Sequence, residues 1–465
     1  MPKTDLAFWS ATELLRGYAT GTVSPVEATR AALARIEALN GKLNAFCLID
    51  AEGALAAARE SEARWAKRSP KGLVDGVPTS IKDLSPTKGW PTMRGSKAVD
   101  PKGPWEIDAP FVARLREHGA VFLGKTTTPE FGWKGVTDNA LTGITRNPWD
   151  PSKTPGGSSG GAAVAAATGM GALHQGSDGG GSIRMPAGYT GVYGIKPTFG
   201  KVPAYPLSPF GTVAHIGPLT RTVADSALML AVMGEPDARD WYALPDDGSD
   251  PRRAVTASVK GWRIAYCPVL GNADVHPEIA AMVKTAAQAF VELGATVEEV
   301  DPPIPDSHET FRKHWFTGAA NLFTAFTAEQ KALIDPGLQQ IAAEGAAFTL
   351  LEYLAAVKER EAMGTAMSLF HETYDVLLTP TLPIPAFEAG HEVPPGSGLT
   401  RWTEWTPFSY PFNLTQQPAA SIPCGRTSEG LPAGLQIVAT KGRDDKVLTA
   451  SAAYETVRPV ELPKV

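Results

Sequence analysis

The chain has 465 residues, with 43 Lys and Arg against 49 Asp and Glu, a net charge of −6 and no basic block. That balance disfavours a nucleic-acid partner and describes an ordinary globular protein with ample chain for a large core. Three scattered cysteines, Cys47, Cys267 and Cys424, exclude a disulfide framework and read as small buried hydrophobes.

The start, Met1-Pro-Lys-Thr-Asp5, has no apolar segment behind a basic one, so it is not read as a signal peptide. Ser24-Pro25-Val26-Glu27 is a helix start, with a capping serine, proline in the first turn and glutamate at the third position. Ala32, Leu33, Ile36 and Leu39 continue it as an apolar stripe, and the chain up to about Arg68 reads as helical. Gly76 to Asp83 alternates and is β-branched, which predicts a strand. Phe111 to His118 predicts a helix stopped by Gly119, followed by a strand over Val121 to Leu123.

Two glycine-dense loops follow, Gly156-Gly157-Ser158-Ser159-Gly160-Gly161 and Asp178-Gly179-Gly180-Gly181-Ser182. Ala162 to Ala167 between them is apolar and helix-prone, which argues against a flexible linker. Neither loop has the Gly-Lys-Ser/Thr of a phosphate loop. The longest apolar run, Gly161 to Leu173, falls short of the about 20 residues that cross a bilayer, so the chain is expected to be cytoplasmic, with no membrane partner.

Pro236 to Ser258 reads as a surface excursion. Strands are predicted at Arg263 to Cys267, Thr296 to Val300, Tyr374 to Leu378 and Leu435 to Ala439. Ile279, Val283, Ala286, Phe290 and Leu293 mark a helix ended by Gly294, and Gly390 to Gly398 is a loop. Alternating helices and strands predict an α/β fold, a large mixed, mostly parallel central sheet covered by helices on both faces.

A run of glycines ending on a serine can aim N–H groups at one point, the geometry an oxyanion needs. A serine nucleophile also needs a base. None of the eight histidines sits in a recognisable catalytic pair, although His174 lies just before the second glycine loop. Gly156-Gly157-Ser158-Ser159-Gly160 has the spacing of a Gly-x-Ser-x-Gly elbow, but Gly180-Gly181-Ser182 lacks the trailing glycine and no histidine–acid pair accompanies either loop, which disfavours an α/β-hydrolase triad. The other base is Lys82, at the end of an apolar strand, because a desolvated lysine can lose its proton near neutrality. No His, Cys, Asp or Glu cluster has metal-ligand spacing, and no nucleotide fingerprint is visible, so neither metal nor cofactor is expected.

Gly76 to Asp83, Pro155 to Gly161, Gly176-Ser-Asp-Gly-Gly-Gly-Ser182-Ile-Arg184-Met-Pro186-Ala and Gly191 to Thr198 together resemble the amidase signature family. Pro411-Phe-Asn-Leu-Thr415 and Gly430 to Val438 extend the likeness nearly to the end of the chain. The resemblance implies the fold over residues 69–465, with 1–68 as an N-terminal helical segment packed on one compact domain. It also implies a linear-amide hydrolase working through an acyl-enzyme. By position, Ser182 would be the nucleophile, Ser158 a bridge preceded by a cis peptide, and Lys82 the base. The N–H groups of Gly179, Gly180, Gly181 and Ser182 would cradle the oxyanion. Ser159, Asp178 and Arg184 would support the site. Phe131, Trp133, Trp402 and Trp405, with Phe408 and Phe412, are candidate walls for an apolar or aryl-bearing amide. Alternatives are the glutaminase subunit of an amidotransferase, a hydrolase of hydrazides, carbamates or esters, and an inactive ligand-binding homologue. A homodimer is the one protein partner considered, being common among soluble enzymes. Much of the family carries Thr-Asp-Thr-Gly-Gly-Ser where this chain has Ser177 to Ser182, so Gly179 is a departure beside the oxyanion loop.

Overall fold

The computed structural model describes residues 5–271 and 273–465, so the reading of Met1 to Thr4 lies outside the described residues. The capped start is present: Ser24 Oγ accepts from the Glu27 N–H and Glu27 Oε2 accepts from the Ser24 N–H, opening the helix Pro25–Leu43. This helix ends at Asn44 in the left-handed conformation. The chain then forms strand β1 (Phe46–Ile49) before the helix Ala51–Ala66. The segment to Arg68 is therefore not helical throughout. Its short apolar run pairs with a sheet edge.

In chain order the next strands are β2 (Pro78–Lys82), β3 (Val121–Thr126) and a small hairpin of β4 (Asp138–Asn139) and β5 (Gly143–Ile144). Then come β6 (Leu173–Asp178), β7 (Tyr193–Lys196), β8 (His215–Thr220), β9 (Arg263–Tyr266) and β10 (Thr296–Glu299). The last are β11 (Val376–Pro380), β12 (Ala419–Arg426) and β13 (Pro432–Val438). Eleven of them make one sheet in the order β1-β3-β2-β6-β8-β7-β12-β13-β11-β9-β10.

This sheet is mixed, as expected, but not mostly parallel. Of its ten neighbour pairs, β2·β3, β2·β6, β9·β11 and β9·β10 are parallel and six are antiparallel. The antiparallel pairs fill its centre through β6, β8, β7, β12 and β13, and β12 and β13 are joined by a short hairpin turn.

Strand alternation sends side chains to two cores. Ile264, Tyr266, Val376, Leu378, Leu435 and Ile437 face one side, against Val283 and Phe290 of the helix Pro277–Glu292 and Leu448 of the helix Asp444–Val457. Ala265, Leu377 and Val438 face the other, in the cluster that also holds Phe311 and Trp315 of the helix His308–Phe323. The helix Gly160–Thr168 is buried on every side, which explains its uniformly apolar sequence. Among the described residues, no helix is long and apolar enough to cross a membrane. Residues 236–258 run over the surface and include the short helix Pro251–Ala254. There Asp240 Oδ2 accepts from the Ala204 N–H at 2.8 Å and so props the loop over a large cavity.

Candidate active site

Parallel pairing places β2 beside β6, with Ser80 opposite His174. Lys82 closes β2, Asp178 closes β6, and the glycine loop carrying Ser182 leads from β6 into the helix Arg184–Thr190. Clefts at the carboxyl ends of strands are where such sheets hold ligands. Ser158 and Ser159 sit in the other glycine loop, before the helix Gly160–Thr168. The Ser159 N–H donates to the Ser182 carbonyl at 3.1 Å, tying the two loops together. The Gly157–Ser158 peptide is cis.

Lys82 is fully buried, and its Nζ lies 2.8 Å from Ser158 Oγ, 2.9 Å from Ser159 Oγ and 3.0 Å from Ser177 Oγ. Burial pushes its ammonium well below the ordinary lysine range, and the Asp178 carboxylate opposes that shift more weakly. Ser159 Oγ donates to the Ser177 carbonyl at 3.0 Å, so it is an acceptor toward Lys82. Ser177 stands inside the glycine motif but had no role in the sequence reading. Its contact with Nζ was hidden because it comes from strand pairing rather than from spacing along the chain.

Asp178 holds the serine loop. It accepts from the N–H groups of Gly181 at 2.7 Å and Ile183 at 3.1 Å. It also pairs with Arg184, whose Nε and Nη2 lie 3.0 and 2.9 Å away. The Arg184 guanidinium drives the Asp178 carboxyl well below the usual range despite complete burial. Arg184 further donates to Asn413 Oδ1, Gln436 Oε1 and the Ser409 carbonyl. This gives a structural role to the C-terminal motifs that contain Asn413 and Gln436. Gly181 adopts φ 123°, a conformation that favours glycine. Its N–H is engaged by Asp178, which removes it from the four expected oxyanion donors and leaves Gly179, Gly180 and Ser182.

Ser158, Ser182 and Gly179 line a cavity of about 550 Å³ whose other walls include Phe131, Phe199, Phe210 and Trp315. Of the expected wall residues only Phe131 reaches it. Trp133, Trp402, Trp405, Phe408 and Phe412 belong to the core behind. The Trp133 carbonyl accepts from Trp315 Nε1, Trp402 packs edge-on against Trp315, and Trp405 stacks on Tyr189. The aromatic walls that replace them, Phe210 and Trp315, lie in a loop and a helix with no motif to mark them.

His174 is structural. It is buried, shares a 2.8 Å hydrogen bond with Ser80, and burial lowers it to about 3, so it stays neutral. His215, on the cavity wall, is held by the Val213 carbonyl and is likewise pushed down by burial. Among the described residues no cluster of His, Cys, Asp and Glu could hold a metal ion.

Residues 27–448 match the family described as Amidase. The acylamidase of Rhodococcus erythropolis is 38% identical over 466 residues, covering 99% of this chain and 97% of that protein. A glutamyl-tRNA(Gln) amidotransferase component of Myxococcus xanthus is 35% identical, covering 98% of each chain. A bacterial aryl acylamidase of the amidase signature family superposes with a TM-score of 0.90 at 31% identity, over 97% of this chain and 96% of the other. Sequence, sheet and loops agree along nearly the full length, and this chain belongs to the amidase signature family.

Proposed function

We propose that Ser182 is the nucleophile of an acyl-enzyme reaction in which Ser158 relays a proton to Lys82, and that the substrates are apolar or aryl-bearing amides. Hydrolysis of the amide C–N bond is the activity of this chain. The observation that carries the residue roles is the hydroxyl cage around a fully buried lysine, opening onto the cavity that Ser182 lines. Neutral Lys82 has two N–H groups and one lone pair. It donates to Ser159 and Ser177, and its lone pair accepts the Ser158 O–H. The Ser158 oxygen is then free to take the proton from Ser182.

In acylation, the Ser182 oxygen forms a bond to the carbonyl carbon. Its proton moves to Ser158, whose own proton moves to Lys82. The N–H groups of Gly179, Gly180 and Ser182 meet the oxyanion. The C–N bond then breaks as the relay returns a proton to the leaving amine. Water next attacks the ester along the same relay, releasing the carboxylic acid and Ser182. Positioned oxyanion donors are each worth about 10²–10³ in rate.

The aromatic lining favours an aryl group over a small aliphatic amide. The glutaminase reading, raised by the amidotransferase relative, calls instead for ammonia release from glutamine. The test is fluorophosphonate labelling with peptide mass spectrometry, beside turnover of 4-nitroacetanilide, acetamide and glutamine. Label on Ser182, its loss in Ser182→Ala, and faster anilide turnover are expected. Activity surviving in Ser182→Ala, or a preference for acetamide, overturns the corresponding part.

A further inference from the structure

Gly179 adjoins the serine loop at the point where that loop meets the cavity wall. A Cβ built on it would lie 2.7 Å from Cζ3 and 3.1 Å from Cη2 of Trp315. Contacts this close require the indole to move. Trp315 is poorly placed to do so. It is 2% exposed, its Nε1–H donates to the Trp133 carbonyl at 3.1 Å, and Trp402 packs against it at 5.5 Å between ring centres. Its other neighbour is Phe210, stacked at 3.7 Å and 8° between ring planes. Phe210 is backed in turn by Gly318, where a Cβ would meet the Phe210 Cα at 2.9 Å. Gly179, Phe210 and Trp315 all line the same cavity as Ser158 and Ser182.

We propose that Gly179 and Trp315 form one specificity determinant, in which the indole fills the space that a side chain at 179 would take. The Trp315–Phe210 stack then presents a fixed aromatic wall beside the oxyanion donors. That wall admits a planar substituent of the substrate and rejects a bulky, branched one. Close-packed rings do not yield to added volume, and an aryl group gains from an aromatic neighbour. The inference rests on Ser182 being the nucleophile, since only then does the wall bound the substrate group next to the reacting carbonyl.

Two matched substrate sets test it. One keeps the 4-nitroaniline leaving group and compares benzoyl with a branched diphenylacetyl group. The other keeps the acetyl group and compares 4-nitroaniline with a bulky ortho-disubstituted aniline. Trp315→Ala is expected to shift the planar-to-bulky ratio of kcat/KM toward the bulky member by about tenfold or more in at least one set. An unchanged ratio in both sets, with Ser182 still labelled by fluorophosphonate, overturns the proposal. The coupling is tested separately. Gly179→Thr is expected to slow fluorophosphonate labelling of Ser182 by about tenfold or more, and adding Trp315→Ala to restore most of it. A double variant no faster than Gly179→Thr overturns the shared-space argument. Trp315→Leu is the substitute if the alanine variant does not fold. Failure of the nucleophile assignment shows differently, as wild-type protein unlabelled at Ser182, and the selectivity ratios are readable either way.

Discussion

Lys82 shows how one side chain can be chemically competent and thermodynamically costly at once. Its three hydrogen-bond partners are hydroxyls, which accept or donate without adding negative charge. Burial therefore dominates, and the lysine is held well below its ordinary value. A base must be unprotonated to work, so kcat/KM is expected to rise with pH through the folded value of Lys82 and then level off. Lys82→Met is expected to lose at least about 10³-fold in kcat, in line with loss of a general base. Stability carries the same signature. The unfolded chain, with an ordinary lysine near 10.4, binds this proton where the folded chain does not. Wild-type stability should therefore gain on that of Lys82→Met as pH rises from 7 toward 9.5, where the unfolded chain still binds the proton that folding releases, and the gain should level off near 10.4. Urea unfolding of both proteins at the two pH values measures this, and parallel stability curves would contradict it.

At the scale of elements, the serine loop depends on one buried ion pair. Asp178 and Arg184 are both fully buried, and between them they reach the serine loop, Ser409, Asn413 and Gln436. Asp178→Asn would leave the guanidinium uncompensated, a loss of about 3–5 kcal/mol. The folded carboxyl lies below an unfolded value near 3.9, so this stabilisation is complete above about pH 4 and fades only as pH falls further. Chemical denaturation of Asp178→Asn against wild type at pH 7 checks the magnitude, and a change under 1 kcal/mol would refute the role. The motif residues of this element were legible because they stand in family motifs: Lys82 reaches Ser158, Asp178 pairs with Arg184, and Ser158 and Ser182 line one cavity. The wall residues were not. Trp402 and Trp405 belong to the core behind the cavity, while Trp315 faces it, and an aromatic pattern does not say which side of a core a ring occupies. Ser177 was similarly hidden, since strand register brings it to Lys82.

Over the whole molecule, strands with strong β-branched or alternating runs were readable: β2, β3, β9, β10, β11 and β13. The overlooked strands of the large sheet, β1, β6, β7, β8 and β12, are short or carry Gly, His, Pro and Ser, and every antiparallel pair of that sheet except β11·β13 contains one of them. That is why the sheet was expected to be mostly parallel. The same omission left the first 68 residues as a helical segment packed on the core, whereas its strand β1 joins the sheet itself and buried contacts tie the segment in. Asp225 Oδ1 and Oδ2 accept from the N–H groups of Thr12 and Ala11, at 3.0 and 2.9 Å. Arg221 Nη2 donates to the Trp9 carbonyl at 2.8 Å, and Arg35 Nε to the Thr168 carbonyl at 2.9 Å. Strand β1 covers β3, whose Val121 and Leu123 share a core with Ile36, Phe46 and Val164. Deleting residues 1–68 would strip partners from the buried Asp225 and Arg221 and expose that core. The truncated chain is therefore expected to be insoluble or inactive rather than mildly destabilised. Soluble expression and fluorophosphonate labelling of Ser182 in the truncated protein provide the measurement. A soluble product labelled within twofold of the wild-type rate would show the segment to be a separable appendage. Its absence would mark the N-terminal strand and helices as part of the fold that holds Lys82 beside Ser158.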